Sequence, residues 1–157
     1  MKDYLQAQDH FWEQAELSQL SAEQWELLCD GCGRCCLHKL LDQDSQELHY
    51  TRVHCQLLDP QLCRCKHYQQ RLEKVPDCVD LRALDIANFD WLPPTCAYRL
   101  LSEHKPLPHW HHLLCGSDNS VHQAGVSVRD WSVSELHVHP EELEDQVIRW
   151  TGEGVQC

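Results

Sequence analysis

No stretch of this sequence comes near the roughly 20 consecutive apolar residues that a membrane-spanning helix needs. The opening residues, MKDYLQAQDHFWEQ, also lack the basic segment and apolar run of a secretory signal. The expectation is a cytoplasmic protein whose mature form is the whole chain. Positive charge is scarce: 13 Lys and Arg stand against 25 Asp and Glu, a formal net charge of −12 with the 12 histidines neutral. Such a field repels nucleic acid phosphates and anionic lipid alike, so neither is expected as a partner. The 6 Gly and 7 Pro are scattered. No linker, repeat or low-complexity tract divides the chain, and 157 residues suffice for one domain with an ordinary hydrophobic core. Metal is thus not needed merely for compactness. Catalytic signatures are missing as well: there is no phosphate-binding glycine loop, no G-x-S-x-G turn, no H-E-x-x-H pair and no C-x3-C-x2-C.

Cysteine, by contrast, is abundant, with 11 in the chain. Cys29-Asp30-Gly31-Cys32-Gly33-Arg34-Cys35-Cys36 holds four within eight residues, and Cys55, Cys63, Cys65, Cys78 and Cys96 follow. Thiolates at this density repel each other and lose hydration when buried, so a folded chain brings them together around a cation. In a reducing compartment they read as metal ligands or redox centres rather than structural disulfides, and the odd count opposes full pairing. Thioredoxin-like use of Cys29 and Cys32 would leave the remaining cysteines unexplained.

The cysteines fall at the edges of expected elements. Phe11, Trp12, Ala15 and Leu17 form one apolar helical face, and Ser21-Ala22-Glu23-Gln24 is a capping box opening a second short helix through Trp25, Leu27 and Leu28 into Cys29. Gly31 and Gly33 permit turns that aim amide N–H groups at sulfur. Residues 47–55 alternate as a strand returning Cys55 toward the first cluster, and Asp59-Pro60 makes a turn before Cys63 and Cys65. A helix is expected from Lys66 to Lys74, ended by Pro76, and another from Cys96 to His104 capped by Thr95. Gly125 to Val133 reads as a strand and Pro140 to Trp150 as a terminal amphipathic helix, both packing over the metal region of residues 29–96.

Cys29, Cys32 and Cys35 have the C-x2-C-x2-C spacing that seats three corners of an iron-sulfur cluster, and the same spacing suits zinc. Side chains of adjacent residues diverge, so Cys36 is expected to reach a second metal or a second iron. With Cys55, Cys63, Cys65 and Cys78 the first four cysteines make eight candidates, enough for two four-coordinate sites. Cys96 is a ninth. Cys115 and Cys157 read as inert or free thiols. His38 and His54, adjoining cysteines, are candidates for a ligand or for a donor to sulfur. His109, His111, His112, His137 and His139 have no acid or cysteine at ligand spacing and read as surface residues.

The run from Cys29 to Cys36, followed by Cys55, then Cys65-x2-Tyr68-x2-Arg71 and a Pro-containing approach to Cys78, resembles the CxxCxxCC family of YkgJ-type zinc- or iron-chelating domains. The longer CDGCGRCCLHKL, with CAYRLL and LPHWHHLL later, is similar to the YcgN branch of bacterial proteins. The resemblance runs from about Phe11 to Trp150. It implies Cys29, Cys32, Cys35, Cys36, Cys55, Cys65 and Cys78 as metal-site residues, with Tyr68 donating to sulfur and Arg71 offsetting thiolate charge. Flagellin lysine methylases are one relative type, combining similar cysteines with an iron-sulfur cluster. The chain departs from the family pattern in a longer Arg71 to Cys78 spacing and in the extra Cys63, and metal chelation survives both.

The reading is an α+β, cysteine-rich, small single-domain fold with short strands and several helices, binding zinc or iron. An iron-sulfur redox or protein-modifying enzyme is one alternative, and a metal carrier or sensor with a protein partner is another. Closed coordination would mark a structural site and an open position an enzyme.

Overall fold

The capping box at Ser21 forms as its sequence pattern predicts in the computed structural model, which describes residues 10–149. Ser21 Oγ accepts from the Gln24 amide at 3.1 Å, and Gln24 Oε1 accepts from the Ser21 amide at 2.9 Å. Two helices, α1 (Phe11–Gln14) and α2 (Ala22–Leu28), precede a hairpin of β1 (Leu37–Leu41) and β2 (Leu48–His54). A second, smaller hairpin joins β3 (Leu58–Asp59) to β4 (Arg64–Cys65). Then come α3 (Arg71–Lys74), α4 (Ala97–Ser102), α5 (His112–Cys115), α6 (Ser120–Gln123) and β5 (Val133–Ser134). The fold is mixed α and β, with short strands and several helices, as expected.

Within this fold the chain forms two compact units, each built from separated segments. Among the described residues the first comprises 10–32 and 85–126, and the second 33–84 and 127–149. The boundary cuts the cysteine run between Cys32 and Gly33.

In the first unit the C-terminal turn of α2 is the anchor. The last carbonyls of a helix lack intrahelical partners. Here Trp25 O accepts from the Tyr98 hydroxyl at 2.8 Å, Leu27 O from His112 Nε2 at 2.7 Å and Leu28 O from His111 Nε2 at 2.9 Å. His111 Nδ1 in turn accepts the Leu113 amide at 3.2 Å, which makes this ring a neutral imidazole protonated at Nε2. The two imidazoles stack at 4.3 Å, and Trp25 packs on Tyr98 at 4.6 Å. This corrects the surface reading of these histidines: His111 is 0% exposed and His112 2%. Their partners lie more than 80 residues away in sequence, so no local pattern announces them. His109, His137 and His139 are exposed, as expected. The cap of α4 is also corrected, since its N-cap is Cys96 rather than Thr95.

In the second unit β2 is central, antiparallel to β1 and parallel to β5. Leu37, Tyr50, Leu58, Cys63 and Val128 form its core, with Cys36, Trp131 and Ile148 packed against it. The strand expected over 125–133 shrinks to Val133–Ser134. Ser127 and Val128 are both buried, so burial does not alternate; Asp130 takes a φ of 71° and Ser132 folds back through its amide and hydroxyl onto Val128 O. The expected terminal helix is a 3-10 segment, Pro140–Gln146. It gives way to backbone pairing with β2, where Val147 bridges Thr51 and the Ile148 amide donates to Tyr50 O. Trp150 lies outside the described residues. The 66–74 helix likewise starts as a 3-10 turn, Tyr68–Gln70, before α3, and ends ahead of Pro76.

Gly33 takes a φ of +76°, and a Cβ there would stand 2.8 Å from Val128 Cγ2. Gly33→Ala is expected to destabilise the protein by about 2–4 kcal/mol in denaturant unfolding, from left-handed backbone strain and overpacking together. His111→Ala and His112→Ala each strand a buried carbonyl and are expected to cost about 1–3 kcal/mol. Glutamine at either position, whose amide nitrogen reaches the Nε2 site, should recover most of that loss by the same measurement.

Candidate metal centre

The second unit gathers five of the predicted cysteines: Cys35, Cys36, Cys55, Cys65 and Cys78. Cys35 and Cys36 lie on a 3-10 turn, Arg34–Cys36, set up by Gly33. The Cys55 amide donates to Cys36 O at 2.9 Å, so β2 returns Cys55 to the cluster as its strand pattern predicts. The β3–β4 hairpin carries Cys65, and the Cys78 amide, donating to Val75 O, fixes the chain just past α3.

These thiols sense one another. Cys36 is pushed well above the ordinary thiol range by its hydrogen bond with the Cys35 thiol first, then by burial, then by charge on Cys35, Cys55 and Cys78. Burial is the largest cause raising Cys55 and Cys78, with charge on Cys65 adding to both. Opposing these effects are groups that favour thiolate. The Leu57 amide donates to Cys55 Sγ at 3.4 Å, as N–H groups do around metal-bound sulfur, and the Val79 amide and the Arg71 charge lower the Cys78 thiol.

Two cations face the group. Arg71 lowers the Cys78 thiol by its charge, donates to Tyr68 O at 2.7 Å and lies 4.1 Å over the Tyr68 ring. Lys39 was not singled out by its sequence context. Its Nζ donates to Cys35 O at 2.9 Å and Leu37 O at 2.6 Å, and stands 5.0 Å over the Tyr50 ring. Burial lowers its pKa, while charge on Cys35, Cys36 and Cys78 pulls it back up. The one available signal was its position two residues beyond buried Leu37 on β1, the side chain alternation of a strand.

The other predicted residues are elsewhere. Cys63 is 4% exposed in the hydrophobic core, with its Sγ 3.6 Å from Pro60 O and burial as the main cause raising its pKa. None of the five clustered thiols is among the groups that shift it. His38 pairs with Glu135 at 2.7 Å and His54 with the Ser132 hydroxyl at 3.0 Å. Cys29 ends α2, Cys32 joins the core around Trp110, and Cys96 caps α4, all in the first unit. The Tyr98 hydrogen bond to Trp25 ties the start of α4 to the last turn of α2. Cys115, read as inert, closes α5. Cys157 lies outside the described residues.

Among the described residues no group of three or more His, Cys, Asp or Glu side chains is drawn together closely enough to hold an ion as it stands. The donor chemistry of the five-thiol group nonetheless fits a soft or borderline cation such as zinc or iron, through its sulfur ligands, N–H donors to sulfur and flanking cations. No described helix is long and apolar enough to cross a membrane.

A profile of the CxxCxxCC family, described as a "putative zinc- or iron-chelating domain", matches residues 28–97. A UPF0260 protein of Granulibacter bethesdensis is 51% identical over 142 residues, covering 90% of this chain and 84% of the relative. One of Gluconobacter oxydans is 52% identical over 143 residues, covering 91% and 86%, and one of Pseudomonas aeruginosa is 49% identical over 138 residues, covering 88% and 93%. No solved structure matches. The chain belongs to the UPF0260 family, and its cysteine-rich segment is a CxxCxxCC domain.

Proposed function

We propose that the protein binds zinc or iron through two sets of cysteines. Cys36, Cys55, Cys65 and Cys78, with Cys35 beside them, supply one set. Cys29, Cys32 and Cys96 supply donors for a second. The family description supports metal binding without naming the metal. The observation that carries the first set is a group of mutually interacting thiols faced by Lys39 and Arg71, one of whose sulfurs, that of Cys55, accepts a backbone N–H bond. Binding draws the sulfurs inward by side-chain rotation and displaces their protons, which burial otherwise retains. A reducing cytoplasm keeps such thiols available, and the net charge of −12 leaves a protein as the expected kind of partner.

The test is metal and acid-labile sulfide content, with an absorption spectrum, on protein purified without oxygen. Zinc without sulfide or colour supports mononuclear thiolate sites. Iron with equal sulfide and a broad visible band would instead make this an iron-sulfur protein and favour redox or modification chemistry. Cys55→Ser, Cys65→Ser and Cys78→Ser are each expected to lose metal. Cys63→Ser is expected to retain it while losing stability, because its sulfur belongs to the core. Full metal content in all of the first three variants would sink the proposed set.

A further inference from the structure

The chain carries a net charge of −12, yet residues 64–74 hold four Lys or Arg and one Glu. Arg64, Lys66 and Lys74 are exposed, and no ion pair engages any of the three among the described residues. Arg71 alone is committed, to the Tyr68 carbonyl at 2.7 Å and to Asp80 at 3.8 Å. Tyr68 and Leu72 stand among these cations at 43% and 45% exposure. We propose that this segment is a docking surface for a second copy of the chain, which seats its own acidic Pro140–Gln146 segment on it.

Charge and length both point to that occupant. Pro140–Gln146 holds four acids and no Lys or Arg, and Glu141, Glu142, Glu144 and Asp145 are all exposed. Glu142, Glu144 and Asp145 make no ion pair among the described residues, and Glu141 meets only His139, at 3.9 Å. Seven residues of 3-10 helix extend about 14 Å. On the basic side the 3-10 turn Tyr68–Gln70 runs straight into α3, and together they span about 12 Å, a close match. Apolar surface accompanies the charge on both: Tyr68 and Leu72 on one, and on the other Leu136 at 70% and Val147 at 41% exposure, which bracket the acids in sequence. The acidic backbone is already fixed, through the Val147 bridge to Thr51 and the Ile148 amide on Tyr50 O, so docking orders little chain.

Both segments belong to the second unit, and every copy carries both. One two-fold rotation therefore sets each basic segment against the other copy's acidic one, so the contact is made twice and closes on itself. Elsewhere two chains of this charge repel, which disfavours other pairings of the same molecules. Exposed charges of this kind steer the encounter and fix its register, and salt screens them.

The test is sedimentation velocity on the full chain with reductant present, so that cysteine cross-links cannot mimic the contact. Wild-type protein is expected to be a dimer at about 50 mM salt and to dissociate at about 0.5 M. Lys66→Glu with Lys74→Glu, and separately Glu141→Lys with Glu144→Lys, should each raise the dissociation constant about tenfold or more by setting like charges face to face. All four positions are exposed, so circular dichroism should not change. An equimolar mixture of the two double variants should recover the dimer, because each variant then meets opposite charge at both contacts; variants that had merely lost their fold could not do this. A wild-type chain that stays monomeric at both salt concentrations would overturn the proposal and leave the basic segment to an acidic protein of another kind. A dimer indifferent to either reversal, or a mixture that stays monomeric, would overturn it as well. Metal content plays no part in the readout, so failure here leaves the proposed metal binding where it stands.

Discussion

Crowded sulfur is the constraint around which the second unit is arranged. One buried thiol is a small hydrophobe, and Cys63 shows that role within the core. Five thiols within reach of one another's charge are a different case, because every ionisation raises the cost of the next. Cys36 registers this most strongly, through Cys35, Cys55 and Cys78 together. Protons relieve the repulsion when no cation is bound, and a divalent cation relieves it when one is. Lys39 and Arg71 moderate either state without replacing the ion, since each carries a single charge and each is held by backbone carbonyls.

Local signals survived into the structure where a few adjacent residues determine geometry. Ser21 and Gln24 cap α2 reciprocally, Gly31 and Gly33 adopt the left-handed backbone, and β2 delivers Cys55 to Cys36. What stayed hidden depends on distant partners. His111 and His112 look polar and exposed in sequence because nothing near them reveals that α2 ends with carbonyls at their ring nitrogens. Val126 and Val128 carry a strand alternation, yet Asp130 and Ser132 turn the chain before a ladder can form. Burial there does not follow the alternation either, because Ser127 between the two valines is buried as well.

Cys63 and Cys65 mark the same limit at the site. Two residues apart on one hairpin, they look equivalent by spacing. Cys63 has a φ of 54° and precedes β4, so its side chain enters the core beside Gly33 and Val128, whereas Cys65 lies on the strand paired with Leu58. Residue spacing cannot separate a sulfur serving packing from one serving chemistry when the deciding variable is a single backbone angle.

The cysteine run itself combines two structural tasks. Cys29 and Cys32 continue from α2, whose last carbonyls are satisfied by Tyr98, His112 and His111, so the first half of the motif inherits the rigidity of a tertiary anchor. Cys35 and Cys36 follow Gly33 into a tight turn whose stability comes from Val128 packing and the Lys39 bonds. A side chain at residue 33 would meet Val128 before it affected any sulfur. The doubled cysteine acquires its meaning from this turn: it leaves Cys35 accessible to solvent and packs Cys36 against the core.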